Sequence, residues 1–466
     1  MLPDDVLVEI FDFYADKNMG AAKGAKSQFI QKNIIEEWIT LAHVCRRWRS
    51  VVFQSPRRLN LRLICSARTP AIYLDLWPPL PLIIHNSVGS SSPWRGTSGV
   101  DNIIAALNHN DQVCQIRLEP SSSDLEYIVN SAPMQKPFPQ LTNLRLNANK
   151  CHGPILPESF LSGTAPRLRS LALFGITFPE LRKLLLSATH LVDLDLGNLP
   201  PSAYIPPEVM AASLATLTSL EYLRLCFVYP RPSRRPPPPP PTRSILPSLT
   251  KIIFEGGCEY LEGIFARIDA PRLSSLTMIF FNQIIFDTPE LFQFISRRPT
   301  LRALEKAYVR FGYDGVVVIF PISDHRVHVE IRCMASEWQL SSLEQVCTSS
   351  LPPVSTLGDL YIFENRNDPA RWQDDVENTL WLEFLRPFAA VKNLYVCKKF
   401  VPRIAPALQE LVGGRTTEVL TTLENIFLEG FQPPEPHHEG IEKFVAARQL
   451  TSHPIAVSPW DGVFKL

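Results

Sequence analysis

The pattern that most narrows what this chain can fold into is a repeated LxxLxL. "FPQLTNLRL" ends at Leu146, "APRLRSLAL" at Leu173, "ATHLVDLDL" at Leu196 and "LTSLEYLRL" at Leu225. "LPSLTKIIF" ends at Phe254, "APRLSSLTM" at Met278, "FAAVKNLYV" at Val396 and "LTTLENIFL" at Leu428. "RPTLRALEK" and "TLGDLYI" are weaker copies. The first apolar residues of the copies are Leu141, Leu168, Leu191, Leu220, Leu249, Leu273, Leu301, Leu357, Val391 and Leu423. The first six steps run from 23 to 29 residues, the period of a leucine-rich repeat. The step from Leu301 to Leu357 is 56, or twice 28, and the strand-like "VHVEIRC" from Val327 is the expected missing copy.

The end of each copy alternates, which predicts a short strand with one buried face. One such strand cannot bury that face alone, whereas stacked copies build a continuous core. Proline stands two residues before the first leucine at Pro139, Pro166, Pro247, Pro271 and Pro299. There it stops a preceding helix and precedes any need for a ladder N–H. Helix-like segments with start signals lie between the strands. "DTPELFQFISRR" offers Thr288 as N-cap, Pro289 in the first turn and then Glu290; "TFPELRKLLLSA" offers Thr177, Pro179 and Glu180. Strand, helix, strand at this period predicts an α/β fold, an irregular leucine-rich-repeat horseshoe with parallel strands and helices outside. Only "LTNLRLNAN" carries the repeat asparagine, at Asn149, so the arc is expected to be loosely wound.

Between the fourth and fifth strands runs "YPRPSRRPPPPPPTRS". Six consecutive prolines predict extended polyproline II in an exposed loop. Arg235 with Pro238 and Pro241, or the same prolines with Arg243, fits an SH3-ligand pattern. A variable surface loop is the simpler reading.

Charge and cysteine usage narrow the function classes. Lys+Arg and Asp+Glu are both 46, so no global field favours nucleic acid or an anionic membrane. The nine cysteines form no CxxC pair, which argues against a disulfide framework or zinc site and for a reducing compartment. Met1 is followed at once by Leu2-Pro3-Asp4-Asp5, without the basic start of a signal peptide, and no apolar run approaches 18 residues. The expectation is a cytoplasmic and/or nuclear protein with no membrane, nucleic-acid or cofactor partner.

The amino-terminal stretch has a different texture. In "LPDDVLVEIFDFY", Pro3 suits a first helical turn and Asp4 and Asp5 its positive end. Leu2, Val6, Leu7, Ile10, Phe11 and Tyr14 share a broad apolar face. In "LAHVCRRWRSVV" and the residues before it, Trp38, Leu41, Cys45, Trp48 and Val52 recur at helical spacing. Val44 and Val51 widen that face, and Arg46, Arg47 and Arg49 take the other side. About 55 residues with faces this wide lack the bulk for a self-sufficient core, so the repeats or a partner must cover them.

These two segments resemble an F-box. The matching residues are Leu2, Pro3, Val6, Leu7 and Ile10, then Val44, Cys45, Arg46 and Trp48. The following "SPRRLNLRL" is similar to F-box proteins abundant in mushroom-forming fungi, many with degenerate leucine-rich repeats. The polar insert at 16–37 departs from the short connection usual in the family. The resemblance implies an F-box at 1–58, a connector or solenoid cap at 59–135, and a solenoid at 136–430 with the proline-rich loop at 229–244. A carboxy-terminal cap or tail would occupy 431–466. It implies a non-enzymatic substrate receptor of an SCF-type cullin–RING ubiquitin ligase. Leu2, Pro3, Val6, Leu7, Ile10, Val44 and Trp48 would contact a Skp-type adaptor, although Trp48 is also a candidate for holding the F-box together. The repeats would hold an unknown protein substrate on their concave face. Alternation puts Asn143, Arg145, Asp193, Asp195, Tyr222, Arg224, Tyr395 and Phe427 there. The alternative is a non-catalytic repeat scaffold whose amino-terminal helices only cap the solenoid. "LRLICSARTPAIYLDLWPPLPLII" from Leu61 could cap it without them.

Other motifs fall short. "GAAKGAKS" misses the phosphate-loop rule at Ala25 and follows a helix rather than a strand. The arginines 46, 47, 49, 57, 58 and 62 lack the companions of a base-reading helix. His437-His438 has no further metal ligands at a suitable spacing. Cys226 and Cys397 read as small core residues and Asp374-Asp375 as a surface pair.

Overall fold

Each copy of the motif builds one local structure, in which the first leucine closes a tight turn and the alternating residues after it form a strand. The computed structural model describes residues 2–11, 13, 41–54, 62–67, 74, 79–87, 98–148, 153–228, 242–281, 285–298, 301, 305–322, 325–351, 354–365, 376–413, 415, 417–430, 439–450 and 453–462. Outside them lie the insert at 16–37, Tyr14, Trp38, Arg57, Arg58, Asn149, most of the proline-rich loop, Asp374-Asp375 and His437-His438. The chain divides into two compact units, residues 1–194 and 195–466.

In the first unit, helix α1 covers residues 4–11, a single turn α2 covers 41–44, and α3 is Arg46–Gln54. Five parallel strands follow: β1 (Leu63–Cys65), β2 (Leu82–Ser87), β3 (Val113–Glu119), β4 (Asn143–Asn147) and β5 (Ser170–Phe174). They are neighbours in chain order. Helices α4 (Ser98–Leu107), α5 (Ser122–Val129) and α6 (Leu181–Ser187) lie between or after them. Three of these strands fall within 59–135, outside the copies counted from sequence, although Val113, Ile116 and Leu118 keep the LxxLxL spacing with other apolar residues. "VCQIRLE" buries Val113, Ile116 and Leu118, with a register shift against β2 that lets the alternation slip by one residue. Strand β6 (Asp193–Leu199) contains the division between the units.

The second unit begins with α7 (Pro207–Leu214) and β7 (Tyr222–Phe227), then β8 (Ser244–Ile245), β9 (Lys251–Gly256), α8 (Cys258–Phe265), β10 (Ile268–Asp269) and β11 (Ser275–Phe281). Next come α9 (Pro289–Ser296), β12 (Lys306–Phe311), β13 (Gly315–Ile322), β14 (His325–Arg332), α10 (Ser336–Gln345) and β15 (Asp359–Glu364). The chain closes with α11 (Asn378–Leu385), β16 (Asn393–Val396), α12 (Val401–Gln409), β17 (Asn425–Glu429), α13 (Glu439–Leu450) and β18 (Ala456–Trp460). The strand order is β7-β9-β11-β14-β13-β12-β15-β16-β17-β18, with β8 and β10 paired separately.

The core is made of the repeat leucines. The ten first positions, Leu141 through Leu423, are at most 3% exposed. Their N–H groups donate to the carbonyl three residues back, as from Leu141 to Phe138 at 3.2 Å, Leu168 to Ala165 at 3.1 Å and Leu273 to Ala270 at 3.2 Å. Pro139, Pro166, Pro247 and Pro271 are therefore the second residue of a four-residue turn, where a fixed φ fits without strain. That role is more specific than stopping a helix. In β4 the alternation is plain, with Leu144 and Leu146 buried and Asn143 exposed on the opposite face.

Three expectations need correction. The parallel pattern breaks at 306–332. There β12, β13 and β14 form an antiparallel meander, whose outer strands β14 and β12 pair parallel with β11 and β15. "VHVEIRC" does supply the missing strand, but it is reached through a reversal. The weak copy at Leu301 makes its strand three residues late, from Lys306. The cause lies in "VVVIF" of β13, a β-branched run with both faces buried, which needs a strand on each side. Gly312 and Gly315 make the tight turn, closed by the Gly312 N–H on the Gly315 carbonyl at 2.8 Å. Lastly, the helix starts are met only in part: Thr288 stands at the N-cap of α9 with Pro289 in the first turn, as expected, but the bonding differs. Thr288 makes no side-chain cap bond; Glu262 of α8 instead accepts the N–H groups of Glu290 and Leu291 at 2.9 and 2.6 Å. Thr177 lies outside α6, which starts at Leu181, and pairs with Ile155.

Candidate functional site: an exposed amino-terminal stripe and the outward face of the sheet

Helix α1 is apolar around much of its circumference, so it cannot be covered by one neighbour. At about 100° per residue, Leu2, Val6, Ile10 and Phe13 fall on one arc of about 80°, and Leu7, Val8 and Phe11 on another. The structure separates the two. Leu7, Val8 and Phe11 are at most 4% exposed, whereas Leu2, Val6, Ile10, Phe13 and Val44 are 38% to 71% exposed. Pro3 is exposed beside them.

Trp48, half-buried, lies with its ring 4.9 Å from that of Phe11. Val51 and Val52 are buried with them. Arg47 reaches Asp4 at 2.6 Å and also donates to the Leu2 carbonyl. Arg49 donates to the Ala42 carbonyl at 3.0 Å. The arginines expected on a solvated side thus tie the segments together. Arg46 and Arg47 sit at the positive end of α3, which has no acidic residue of its own in the first turn; Asp4 supplies that charge from α1. Of the expected adaptor residues, then, Leu2, Pro3, Val6, Ile10 and Val44 form an open surface, while Leu7 is internal and Trp48 packs against Phe11. Phe13 joins the exposed set, its signal being the helical spacing to Ile10 and Val6.

The residues expected opposite the leucines are outward and mostly engaged. Arg145 bridges to Glu119 at 3.1 Å and lies 4.7 Å above the Phe174 ring, with Asn143 exposed two residues before. Asp193 is half-buried, and its N–H bonds the Arg169 carbonyl at 3.0 Å. In the second unit, Arg224 lies 3.7 Å from Asp195, and Lys251 sits over the Tyr222 ring at 5.5 Å.

Further along, register brings four rings into one stack. Tyr308, Tyr361, Tyr395 and Phe427 are partners across β12, β15, β16 and β17. Successive centroids are 4.6, 4.1 and 4.5 Å apart with nearly parallel planes. A polar row runs beside it: Lys306 lies 3.5 Å from Asp359, Asn393 donates to Asp359 at 2.7 Å, and Asn425 to Asn393 at 2.8 Å. Trp460 of β18 stands edge-on to Tyr361 and Tyr395, at 6.1 and 5.6 Å. Tyr395 and Phe427 follow from the motif. Tyr361 holds the same place in "TLGDLYI" as Tyr395 in "VKNLYV", which is the signal that would have found it. Tyr308 is hidden by the late start of β12.

Reactive chemistry is not prominent. Burial pushes the thiols of Cys65, Cys226 and Cys333 up to about 12 and raises that of Cys397, so these stay protonated and unreactive at neutral pH. Among the described residues, no three His, Cys, Asp or Glu side chains are grouped as metal ligands, and no helix is long and apolar enough to cross a membrane.

No family model matches the chain, and no curated protein matches it. Among solved structures it is similar to the crystal structure of the leucine-rich repeat-containing protein LegL7 from Legionella pneumophila. The two are 12% identical over 85% of this chain and 99% of that one, with a TM-score of 0.29. The repeat fold rests on the strand registers and the buried leucines.

Proposed function

We propose that the chain is the substrate-recognition subunit of an SCF-type cullin–RING ubiquitin ligase. Its amino-terminal helices bind a Skp-type adaptor and its repeats bind a protein substrate. The observation that carries this reading is the split of α1 into a buried arc and an exposed apolar stripe. A soluble helix rarely leaves Leu2, Val6, Ile10 and Phe13 in one exposed row unless a partner covers it. With Pro3 beside it and Val44 from the second segment, the stripe holds five of the nine residues that give the sequence its F-box resemblance. The protein performs no chemistry in this scheme. It raises the local concentration of substrate lysines near a charged E2.

The test is co-purification with a Skp-type adaptor, comparing wild type with a Leu2→Ala/Pro3→Ala double variant. Both residues are exposed, so the repeats should fold unchanged. Loss of anchors from such an interface should cost at least ~2 kcal/mol, about thirtyfold in affinity. Folded wild-type protein that fails to bind the adaptor would leave a repeat scaffold without a ligase role.

A further inference from the structure

The aromatic stack has beside it a charge that no other described residue pairs. Two residues beyond Tyr308 in β12, Arg310 points to the same face, with Val317 and Phe363 as its register partners. Those two are only 7% and 8% exposed although they face away from the leucines. Arg310 is itself half-buried, and makes no hydrogen bond or ion pair with any other described residue. The carboxylates on its register row are taken: Arg332 holds Glu330 at 2.7 Å and Glu255 at 2.5 Å. Beyond the tyrosine row, Asp359 is held by Lys306 and Asn393, and Glu364 at the end of β15 by Lys399. A guanidinium set between two apolar side chains has lost hydration without gaining a partner. A carboxylate delivered there would meet a planar, bidentate donor.

The stack indicates what accompanies that carboxylate. Its rings use their faces on each other and present edges and hydroxyls. Trp460 shows how a further ring sits on those edges, at 61° to Tyr361 and 69° to Tyr395. Burial and the bond between the two hydroxyls keep Tyr361 protonated, and burial does the same for Tyr308. Neither of these two is a phenolate that would repel an anion at neutral pH.

We propose that this face binds an extended acidic peptide bearing an aromatic residue, its ring against the tyrosine edges and its carboxylate on Arg310. The inference rests on the receptor reading for its meaning, since it names the substrate class of that receptor, but the peptide site is testable without the adaptor.

The probe is a fluorescein-labelled random Glu/Tyr copolymer, followed by anisotropy on the purified full chain. A Lys/Tyr copolymer and poly-glutamate serve as comparisons. Because formal net charge is zero, acidic polymer is not attracted to the chain as a whole. The Glu/Tyr polymer should bind at least about tenfold tighter than either comparison. Arg310→Gln and Tyr395→Ala should each weaken it by about tenfold or more. Arg182→Gln, an equal loss of charge on the exposed side of α6, should leave it unchanged. Should Tyr395→Ala misfold, Arg310→Lys keeps the charge but loses the fork, and should bind less tightly than wild type. Equal binding of the Lys/Tyr polymer or of poly-glutamate, or undiminished binding by Arg310→Gln, would overturn the proposal. Peptide binding without adaptor binding would keep this site and remove only the ligase reading.

Discussion

Phe11 and Trp48 are where the amino-terminal helices meet, and Val6 lies one turn away on the open side. Their substitutions should therefore separate. Phe11→Ala removes a ring that is 1% exposed, which should cost about 3–5 kcal/mol and unfold the module. Val6→Ser acts on a side chain that is 38% exposed and should cost far less, about 1 kcal/mol, leaving the module folded. Hydrogen exchange over residues 4–11 and 46–54 reads both; comparable protection in the two variants would contradict the split. Glu262 gives a second test at this scale. Burial raises its carboxyl to about 7, against the opposing effect of the two N–H groups it accepts. Its folded pKa thus lies above its ordinary 4.5, so the folded chain holds the extra proton between the two values. Stability from this group should fall as pH rises from about 4.5 to 7, by at most about 1.4 kcal/mol per pH unit, and level off above. Urea midpoints at pH 5, 6, 7 and 8 should show a shallower decline for Glu262→Gln; identical profiles would refute the assignment. The internal role of Trp48 was among the sequence expectations; the split of α1 and the part played by Glu262 were not readable. The α1 pattern named Leu7 with Leu2, Val6 and Ile10 because a helix apolar on two arcs looks like one broad face. Glu262 has no sequence signal, since its partners belong to the next helix.

At the scale of elements, legibility followed from what the spacing encodes. LxxLxL marks a turn and a strand whose leucines must be buried, so ten first positions and most strands were placed correctly. A strand of "VVVIF" carries no such phase, and the reversal through Gly312 and Gly315 went unseen. The meander makes a sharp prediction. A Cβ at Gly315 would lie 2.3 Å from the Ile331 carbonyl oxygen and 3.0 Å from the Arg332 Cα, both backbone atoms. Gly315→Ala should cost about 1–3 kcal/mol. It should also loosen β13 and β14 ahead of β16 and β17, because a repeat stack couples mainly to its neighbours. Exchange protection unchanged in β14 would argue against the antiparallel register.

The whole molecule combines a helical module that carries an exposed stripe and a repeat array whose outward face carries a ring stack and, among the described residues, an arginine without a partner. The array was legible from its period; the use of its outward face was only partly so. Alternation marks which side chains point outward but not which of them register stacks together, which is why Tyr308, Tyr361 and Arg310 emerged only with the strand pairing. The measurement that tests the central claim most directly is reconstituted ubiquitin transfer. The chain would be combined with a Skp-type adaptor, cullin, RING subunit, E1 and charged E2, with no added substrate. Docking raises the local concentration of the chain's own lysines at the E2. The account predicts ubiquitin on this chain that depends on the adaptor and is lost in the Leu2→Ala/Pro3→Ala variant. Adaptor binding without any transfer, or transfer indifferent to that variant, would contradict it.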